Sequence, residues 1–220
     1  MQPAFRPPVP QAVVIEGPAG ALEARIEEPV PGAVPAAVGV VCHPHPLYGG
    51  TMQNKVVHTL ARAMQEHGVP TVRFNFRGVG ASAGSYDGGA GELEDALAAC
   101  EWARRRWGCE SLLLAGFSFG AAVALQAAGR VRPRALVTVA PPVGRIIVTP
   151  VARPACPWLV VQGDRDELVD AAQVRRWVAG FAPPPRLVML EGAEHFFHGR
   201  LAELRAGVLG FLSEEAPLGP

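Results

Sequence analysis

Residues 112–129 read LLLAGFSFGAAVALQAAG and carry no charged side chain. The beginning, Leu112 to Ala115, is apolar like a strand that is buried on both faces, and Ala121 to Ala128 is typical of a packed helix. Between them lies Gly116-Phe117-Ser118-Phe119-Gly120, which fits the pattern G-x-S-x-G. A serine on a sharp strand-to-helix turn has a strained backbone, and the helix N-terminus beside it stabilises developing negative charge. The stretch therefore predicts Ser118 as a nucleophile; the alternative is a serine that only caps the helix.

The same stretch is nearly as long as the roughly 20 residues of a membrane-spanning helix. Ser118, Gln126 and three glycines interrupt it, so a strand, a tight turn and a buried helix explain it better. The N-terminus has no apolar core of a secretory signal, and the four cysteines form no CxxC pair. We expect a cytoplasmic protein with free thiols that is not embedded in a membrane.

Strand and helix patterns alternate from residue 36 to the end of the chain, which predicts an α/β fold with a mostly parallel, twisted sheet and helices on both faces. Two further strands, 12–17 and 21–28, are joined by a Gly-Pro turn and predict an antiparallel N-terminal edge. We expect a single domain over residues 1–220, with a loose lead-in at 1–11. The remaining predicted strands are 36–42, 71–76, 111–117, 135–140, 158–163 and 186–191, and the predicted helices are 55–67, 92–107, 119–128, 169–181 and 200–212.

A serine nucleophile needs a general base that a carboxylate orients, and in this architecture the chain order is Ser, then Asp or Glu, then His. Asp164 and Asp166 follow the strand at 158–163, and His195 follows the strand at 186–191. The carboxyl ends of parallel strands meet at one edge of the sheet, where such folds build their sites. We predict His195 as the base and Asp166 as the acid. Asp164 and His198 are the competing candidates, Asp164 as a turn-capping residue and His198 as a residue at the start of the last helix.

A tetrahedral intermediate also needs two N–H donors. One is the backbone N–H of Phe119, and the other belongs to the loop after strand 36–42, which reads CHPHPLYGG. Proline has no N–H, so His45, between two prolines, is the best-placed donor. His43 and His45 also resemble a metal pair, but further ligands with suitable spacing are missing from the sequence. We therefore predict no metal site.

Composition narrows the class of partner. Hydrophobic residues make up 49% of the chain and charged residues 18%, and the formal net charge is +0. Such a chain can bury a sizeable core, and it lacks the basic surface that nucleic acids or acidic membranes attract. We expect a small-molecule substrate and no nucleic-acid or membrane partner.

Five blocks in this order resemble the α/β-hydrolase superfamily, and more narrowly its small bacterial, dienelactone-hydrolase-like branch. The resemblance implies an α/β-hydrolase fold, a triad on Ser118, Asp166 and His195, oxyanion N–H groups at His45 and Phe119, and no cofactor. Dienelactone hydrolases proper carry cysteine where this chain has Ser118. The blocks are HPHPLYGGTMQNKVV (43–57), RFNFRGVGASAGSYDGG (73–89), LAGFSFGA (114–121), VQGDRDELV (161–169) and GAEHFFHGRL (192–201).

Only Pro141 to Pro157 separates two of the predicted strands at the place where related enzymes carry a helical cap. This segment is too short for a cap domain, although a short flap could turn Ile146, Ile147 and Val148 toward the site. We expect an open site for esters of small to medium acyl groups. Amide hydrolysis by the same three residues, and a non-catalytic binding protein that keeps the fold, are the alternatives.

Overall fold

The computed structural model describes residues 6, 8–29, 32, 34–146 and 151–218. Within these residues the chain forms one eight-stranded sheet and five α-helices. The strands are β1 (Gln11–Gly17), β2 (Gly20–Glu27), β3 (Val38–Cys42), β4 (Thr71–Phe74), β5 (Leu112–Phe117), β6 (Ala135–Val139), β7 (Trp158–Gly163) and β8 (Arg186–Leu190). The helices are α1 (Lys55–Glu66), α2 (Ala90–Trp107), α3 (Phe119–Val131), α4 (Ala171–Ala179) and α5 (Leu201–Glu215).

The sheet has the strand order β1-β2-β4-β3-β5-β6-β7-β8. The pairs β1–β2 and β2–β4 are antiparallel, and every pair from β4 to β8 is parallel. The strand order reverses around β3, because the chain first crosses from β3 to β4 on one side and then returns to β5 on the other. The carboxyl ends of β3 and β5 are therefore neighbours, and the loops that follow them converge.

Side chains of the central strands alternate between two apolar layers, as period-two geometry requires. On β5, Leu112 and Leu114 pack with α2, α3 and α4, whereas Leu113, Ala115 and Phe117 face α1 and α5. Because both faces are covered, β3, β5, β6 and β7 are buried at every position. This burial explains why these strands read as continuous apolar runs in the sequence.

The predicted fold class is confirmed: the sheet is mostly parallel with an antiparallel N-terminal edge, helices cover both faces, and the residues that the structure describes contain no large cap. Element ends differ by a few residues, and α3 runs to Val131 rather than to residue 128. The uncharged stretch 112–129 is divided between β5 and α3. Among the described residues, no helix is long and apolar enough to cross a membrane.

Candidate active site

Ser118 occupies the turn between β5 and α3 with φ +53° and ψ −119°. Few residues other than glycine adopt a positive φ, so this backbone is strained. The strain is maintained by close packing on both sides. A Cβ atom at Gly116 would lie 2.1 Å from the Gly120 carbonyl oxygen, and one at Gly120 would lie 2.4 Å from the carbonyl oxygens of Cys42 and His43. Glycines at both positions therefore allow strand and helix to approach each other closely around Ser118, which is half-buried.

His195 lies in the loop after β8 and its side chain is buried between the loops of β5 and β7. Its Nε2 atom is 3.2 Å from Ser118 Oγ, and its Nδ1 atom is 2.9 Å from Asp166 Oδ2. An ionised carboxylate can only accept a hydrogen bond, so the contact with Asp166 requires a proton on Nδ1 and leaves the lone pair of Nε2 facing the Ser118 hydroxyl. The structure thus brings together the three side chains that the sequence singled out, in the chain order Ser, Asp, His.

The carboxylate of Asp166 is held from several sides. Oδ1 accepts the backbone N–H groups of Leu168 and Val169 at 2.9 and 2.8 Å, and Oδ2 accepts Nε2–H of Gln162 at 2.8 Å. Burial raises the pKa of Asp166, but the hydrogen bonds and charge of His195 and the two N–H groups outweigh it and lower the pKa below its usual value. Asp166 therefore stays ionised beside the histidine.

The competing residues take other roles. Oδ1 of Asp164 accepts the Gly192 N–H at 2.6 Å, which ties the β7 loop to the β8 loop and is not a local cap. His198 is exposed and its Nδ1 atom lies 3.8 Å from a carboxylate oxygen of Glu194. No hydrogen bond or ion pair joins either side chain to Ser118 or His195.

Glu167 is a residue of this loop pair that the sequence analysis missed. Its Oε2 atom accepts the backbone N–H of His195 at 3.1 Å. Asp164 binds the Gly192 N–H and Asp166 binds the His195 ring, so three carboxylates hold the 192–195 loop at three different groups. The only signal in the sequence for this set of contacts was the segment GDRDE, in which three carboxylates lie within four residues.

The loop after β3 approaches the N-terminus of α3. Among the described residues, neither the His45 N–H nor the Phe119 N–H has a hydrogen-bond acceptor within the protein. The His45 and Phe119 rings are in contact, with centroids 5.0 Å apart. The two N–H groups predicted to bind an oxyanion are therefore both unpaired at the point where the two loops meet.

The side chain of His45 forms part of an aromatic group with Tyr48, Tyr86 and Phe119. Its Nδ1 atom accepts the Leu47 N–H at 3.2 Å, so Nε2 carries the proton and donates it to the Tyr86 hydroxyl at 3.2 Å. Burial lowers the pKa of His45, which favours this neutral form. The Tyr86 oxygen acts as acceptor in this bond, and its own O–H remains available to a ligand.

His43 is fully buried and both of its ring nitrogens contact backbone groups. Nδ1 lies 2.6 Å from the Pro44 carbonyl oxygen, and Nε2 accepts the Phe76 N–H at 3.0 Å. The ring has no nitrogen left for a metal ion. Among the described residues no three His, Cys, Asp or Glu side chains are grouped to hold one.

Arg77 precedes the glycine-rich loop that begins at residue 78, and its side chain binds a carboxylate. Its Nε and Nη2 atoms form a paired contact with Asp95 on α2, at 3.0 and 2.7 Å. Asp95 also accepts the Arg77 backbone N–H. The fully buried Asp95 carboxylate is thereby paired with a charged donor, as a buried charge requires.

A cavity of about 860 Å³ runs along α3 and is lined by Ala122, Leu125 and Ile146, among others. It contains none of the predicted site residues. Ile146, one of three residues predicted to form a flap, packs against the apolar layer beside this cavity. The other two, Ile147 and Val148, lie outside the described residues.

Comparison with known proteins supports the family and the fold of the chain. Residues 41–205 match the family model described as alpha/beta hydrolase domain. The structure is similar to an α/β serine hydrolase without lid from Xanthomonas campestris, with 44% identity, a TM-score of 0.90 and coverage of 96% of this chain and 97% of that one. It is also similar to an α/β serine hydrolase homologue from Coxiella burnetii, with 47% identity, a TM-score of 0.87 and coverage of 92% and 97%.

An uncharacterized protein of Rickettsia prowazekii is 35% identical over 211 residues, which cover 91% of this chain and 87% of that protein. The matched family and the two structural neighbours support a hydrolase function. The chain belongs to the alpha/beta hydrolase family.

Proposed function

We propose that the protein is a serine hydrolase that cleaves esters of small to medium acyl groups through an acyl-serine intermediate. The observation that carries the proposal is the continuous contact from Asp166 through His195 to Ser118, at 2.9 and 3.2 Å. A hydrogen-bonded nucleophile, base and orienting acid define this chemistry by geometry and role.

In the first step, Ser118 Oγ attacks the ester carbonyl carbon while its proton moves to His195 Nε2. The resulting imidazolium is stabilised by the Asp166 carboxylate. The same proton then passes to the leaving alcohol oxygen as the bond between carbonyl carbon and that oxygen breaks. A water molecule then attacks the acyl-serine carbonyl carbon while its proton moves to His195 Nε2. That proton passes to Ser118 Oγ as the bond between the carbonyl carbon and Oγ breaks, which releases the acid and restores the hydroxyl.

The carbonyl oxygen becomes negatively charged in each tetrahedral intermediate. The unpaired N–H groups of Phe119 and His45 are the donors that would stabilise it, with the N-terminus of α3 behind them. Removing one donor of this kind from a comparable site costs about 100- to 1,000-fold in rate.

The proposed substrate class follows from the rim of the site. Four large apolar side chains are exposed on the three loops that surround Ser118, although apolar side chains are usually withdrawn from water. An open rim of this kind favours an ester with a modest apolar group on either side of the carbonyl. The four are Leu47, Tyr48, Leu168 and Phe196.

The test compares wild type with Ser118→Ala on nitrophenyl esters from acetate to decanoate. We expect turnover by wild type with an optimum at short or medium chains, and a loss of about a million-fold in kcat for Ser118→Ala. His198→Ala is the matched control, because this exposed histidine is three residues from His195 and should leave turnover unchanged.

Labelling with a fluorophosphonate probe separates chemistry from substrate choice. Wild type that is not labelled at Ser118 would contradict the proposal for any acyl substrate. Labelling without turnover of the esters would reject only the substrate class, and matched amides would then be tested on the same enzyme.

A further inference from the structure

We infer that His43 is a positioning residue: its ring holds the Pro44–His45 peptide so that the His45 N–H points into the oxyanion site. The inference rests on the proposed function, because it explains how the His45 N–H, one of the two proposed oxyanion donors, is oriented. It concerns a histidine that takes no part in the contact from Asp166 to Ser118.

The hydrogen bonds of the ring leave one protonation state. A carbonyl oxygen only accepts, so the 2.6 Å contact between Nδ1 and the Pro44 oxygen requires a proton on Nδ1. A backbone N–H only donates, so the 3.0 Å contact from Phe76 requires a lone pair on Nε2. His43 is therefore the neutral Nδ1–H tautomer, and burial lowers its pKa to about 4.

The Pro44 carbonyl and the His45 N–H belong to the same peptide unit. This bond is trans, since among the described residues only Ala182–Pro183 is cis. In a planar trans peptide the C=O and N–H point in opposite directions. Because the His43 ring binds the carbonyl on one side, the N–H is turned to the other side, where it has no acceptor among the described residues.

The backbone around this peptide leaves it little room to rotate. A Cβ atom at Gly50 would lie 2.1 Å from the Pro44 carbonyl oxygen, so Gly50 packs directly against the same atom that His43 binds. Pro44 itself is buried and its φ is fixed by the ring. The hydrogen bond of His43 thus selects the orientation of the Pro44–His45 peptide, and the close packing of Gly50 maintains that orientation.

The ring also links the two predicted oxyanion donors. His43 packs on the Phe76 ring with centroids 4.6 Å apart, and Phe76 contacts the Phe119 ring edge-on at 5.7 Å. A buried apolar side chain at position 43 would fill the same space, but it would leave the Pro44 oxygen and the Phe76 N–H without partners. We conclude that the two ring nitrogens, and not only the ring volume, are required here.

Two variants separate the two ring bonds. In His43→Asn the amide nitrogen lies as many bonds from Cα as Nδ1 and still donates to the Pro44 oxygen. In His43→Gln the amide oxygen lies as many bonds from Cα as Nε2 and still accepts from Phe76, but the bond to Pro44 is lost. We expect kcat to fall by about 100-fold in His43→Gln, as for the loss of one oxyanion donor, with KM nearly unchanged and with most of the activity kept in His43→Asn.

The affinity for a boronic acid that forms a tetrahedral adduct with Ser118 should fall with kcat across this series. Urea unfolding of the same variants supplies the structural readout. If kcat and boronate affinity followed the loss of stability, or if His43→Asn were as inactive as His43→Gln, His43 would have no role beyond packing and the inference would be overturned.

Nuclear magnetic resonance tests the geometry without any substrate. Ring nitrogen shifts of His43 should show a proton on Nδ1 and none on Nε2, and the His45 amide should exchange rapidly with solvent. An Nε2–H tautomer, or a protected His45 amide, would overturn the inference even in an active hydrolase. An enzyme that failed to label at Ser118 would refute the proposed function while these resonances still decided the orientation of the peptide.

Discussion

The two halves of the site are held in place by different kinds of interaction. The proposed acid–base half consists of the loops after β7 and β8, where the carboxylates of Asp164, Asp166 and Glu167 bind the 192–195 loop. The proposed oxyanion half consists of the loop after β3 and the start of α3, where the neutral ring of His43 and close contacts at Gly50 and Gly120 fix the backbone. In the proposed mechanism, charged side chains surround the group that moves a proton, whereas neutral packing orients a backbone N–H.

Among variants that keep Ser118, the largest effect should come from removing the charge beside the proposed base. Asp166→Asn places an amide N–H where Oδ2 now accepts from His195 and Gln162, so the histidine turns to the wrong tautomer. We expect kcat on a nitrophenyl ester to fall by about 10,000-fold. Asp164→Asn is the matched control, because an amide oxygen can still accept the Gly192 N–H, and it should cost less than about tenfold. Equal losses of kcat in the two variants would show that Asp166 has no catalytic role that Asp164 lacks.

Acidification should act on the oxyanion half first. The pKa of His43 falls from 6.5 to about 4 on folding, so between these values the unfolded chain binds a proton that the folded chain does not. The free energy of unfolding therefore decreases as the pH falls through this window, by about 1.4 kcal/mol per pH unit from this group. Asp166 has a lowered pKa, so its stabilising contribution is complete above the ordinary carboxyl pKa and is lost only as the pH falls through the lowered value.

Urea unfolding of wild type and His43→Asn at a series of pH values measures this contribution. The pKa values of His45 and His58 are also lowered by burial, so they contribute a slope of the same sign to both proteins. The difference between the two slopes isolates His43. Identical slopes would mean that His43 is not held neutral by the fold.

The smallest effect should come from a single methyl group on α3. Gly120→Ala forces a Cβ atom against the carbonyl oxygens of Cys42 and His43, and we expect a loss of about 1–3 kcal/mol in unfolding free energy together with reduced kcat. Gly129→Ala, on the same helix, has no atom within 4 Å of the new Cβ and should stabilise the protein by about 1 kcal/mol or less. Calorimetry of the two variants distinguishes backbone packing at the site from helix propensity.

Most of the fold could be predicted from the sequence, because local periodicity reports burial directly. The apolar runs of β3, β5, β6 and β7 predicted the parallel core. The Gly-Pro turn between β1 and β2 predicted the antiparallel edge. Element ends were less accurate: the helix predicted at 169–181 is α4 at Ala171–Ala179, begun by a side-chain cap at Asp170. Such caps depend on hydrogen bonds to one or two N–H groups, which periodicity does not report.

The predicted site residues could be named for a similar reason. Parallel strands end at one edge of the sheet, so a serine, an aspartate and a histidine that follow three such strands must lie near one another. Sequence order could not decide between Asp164 and Asp166, because both follow β7 and only side-chain direction separates them. It also gave no role to Glu167, whose partner is a backbone N–H on a different loop.

By itself the sequence determined the class of fold, the strained serine turn and the order of the candidate site residues, because these depend on local patterns and on strand order. Only the tertiary structure decided which carboxylate contacts His195, and that Arg77 pairs with Asp95. It also decided that His43 binds backbone groups on both sides. Some of these contacts join residues that are far apart in the chain, and others depend on the direction in which a side chain points. Neither can be read from local sequence patterns, because both are set only when the sheet brings its loops together.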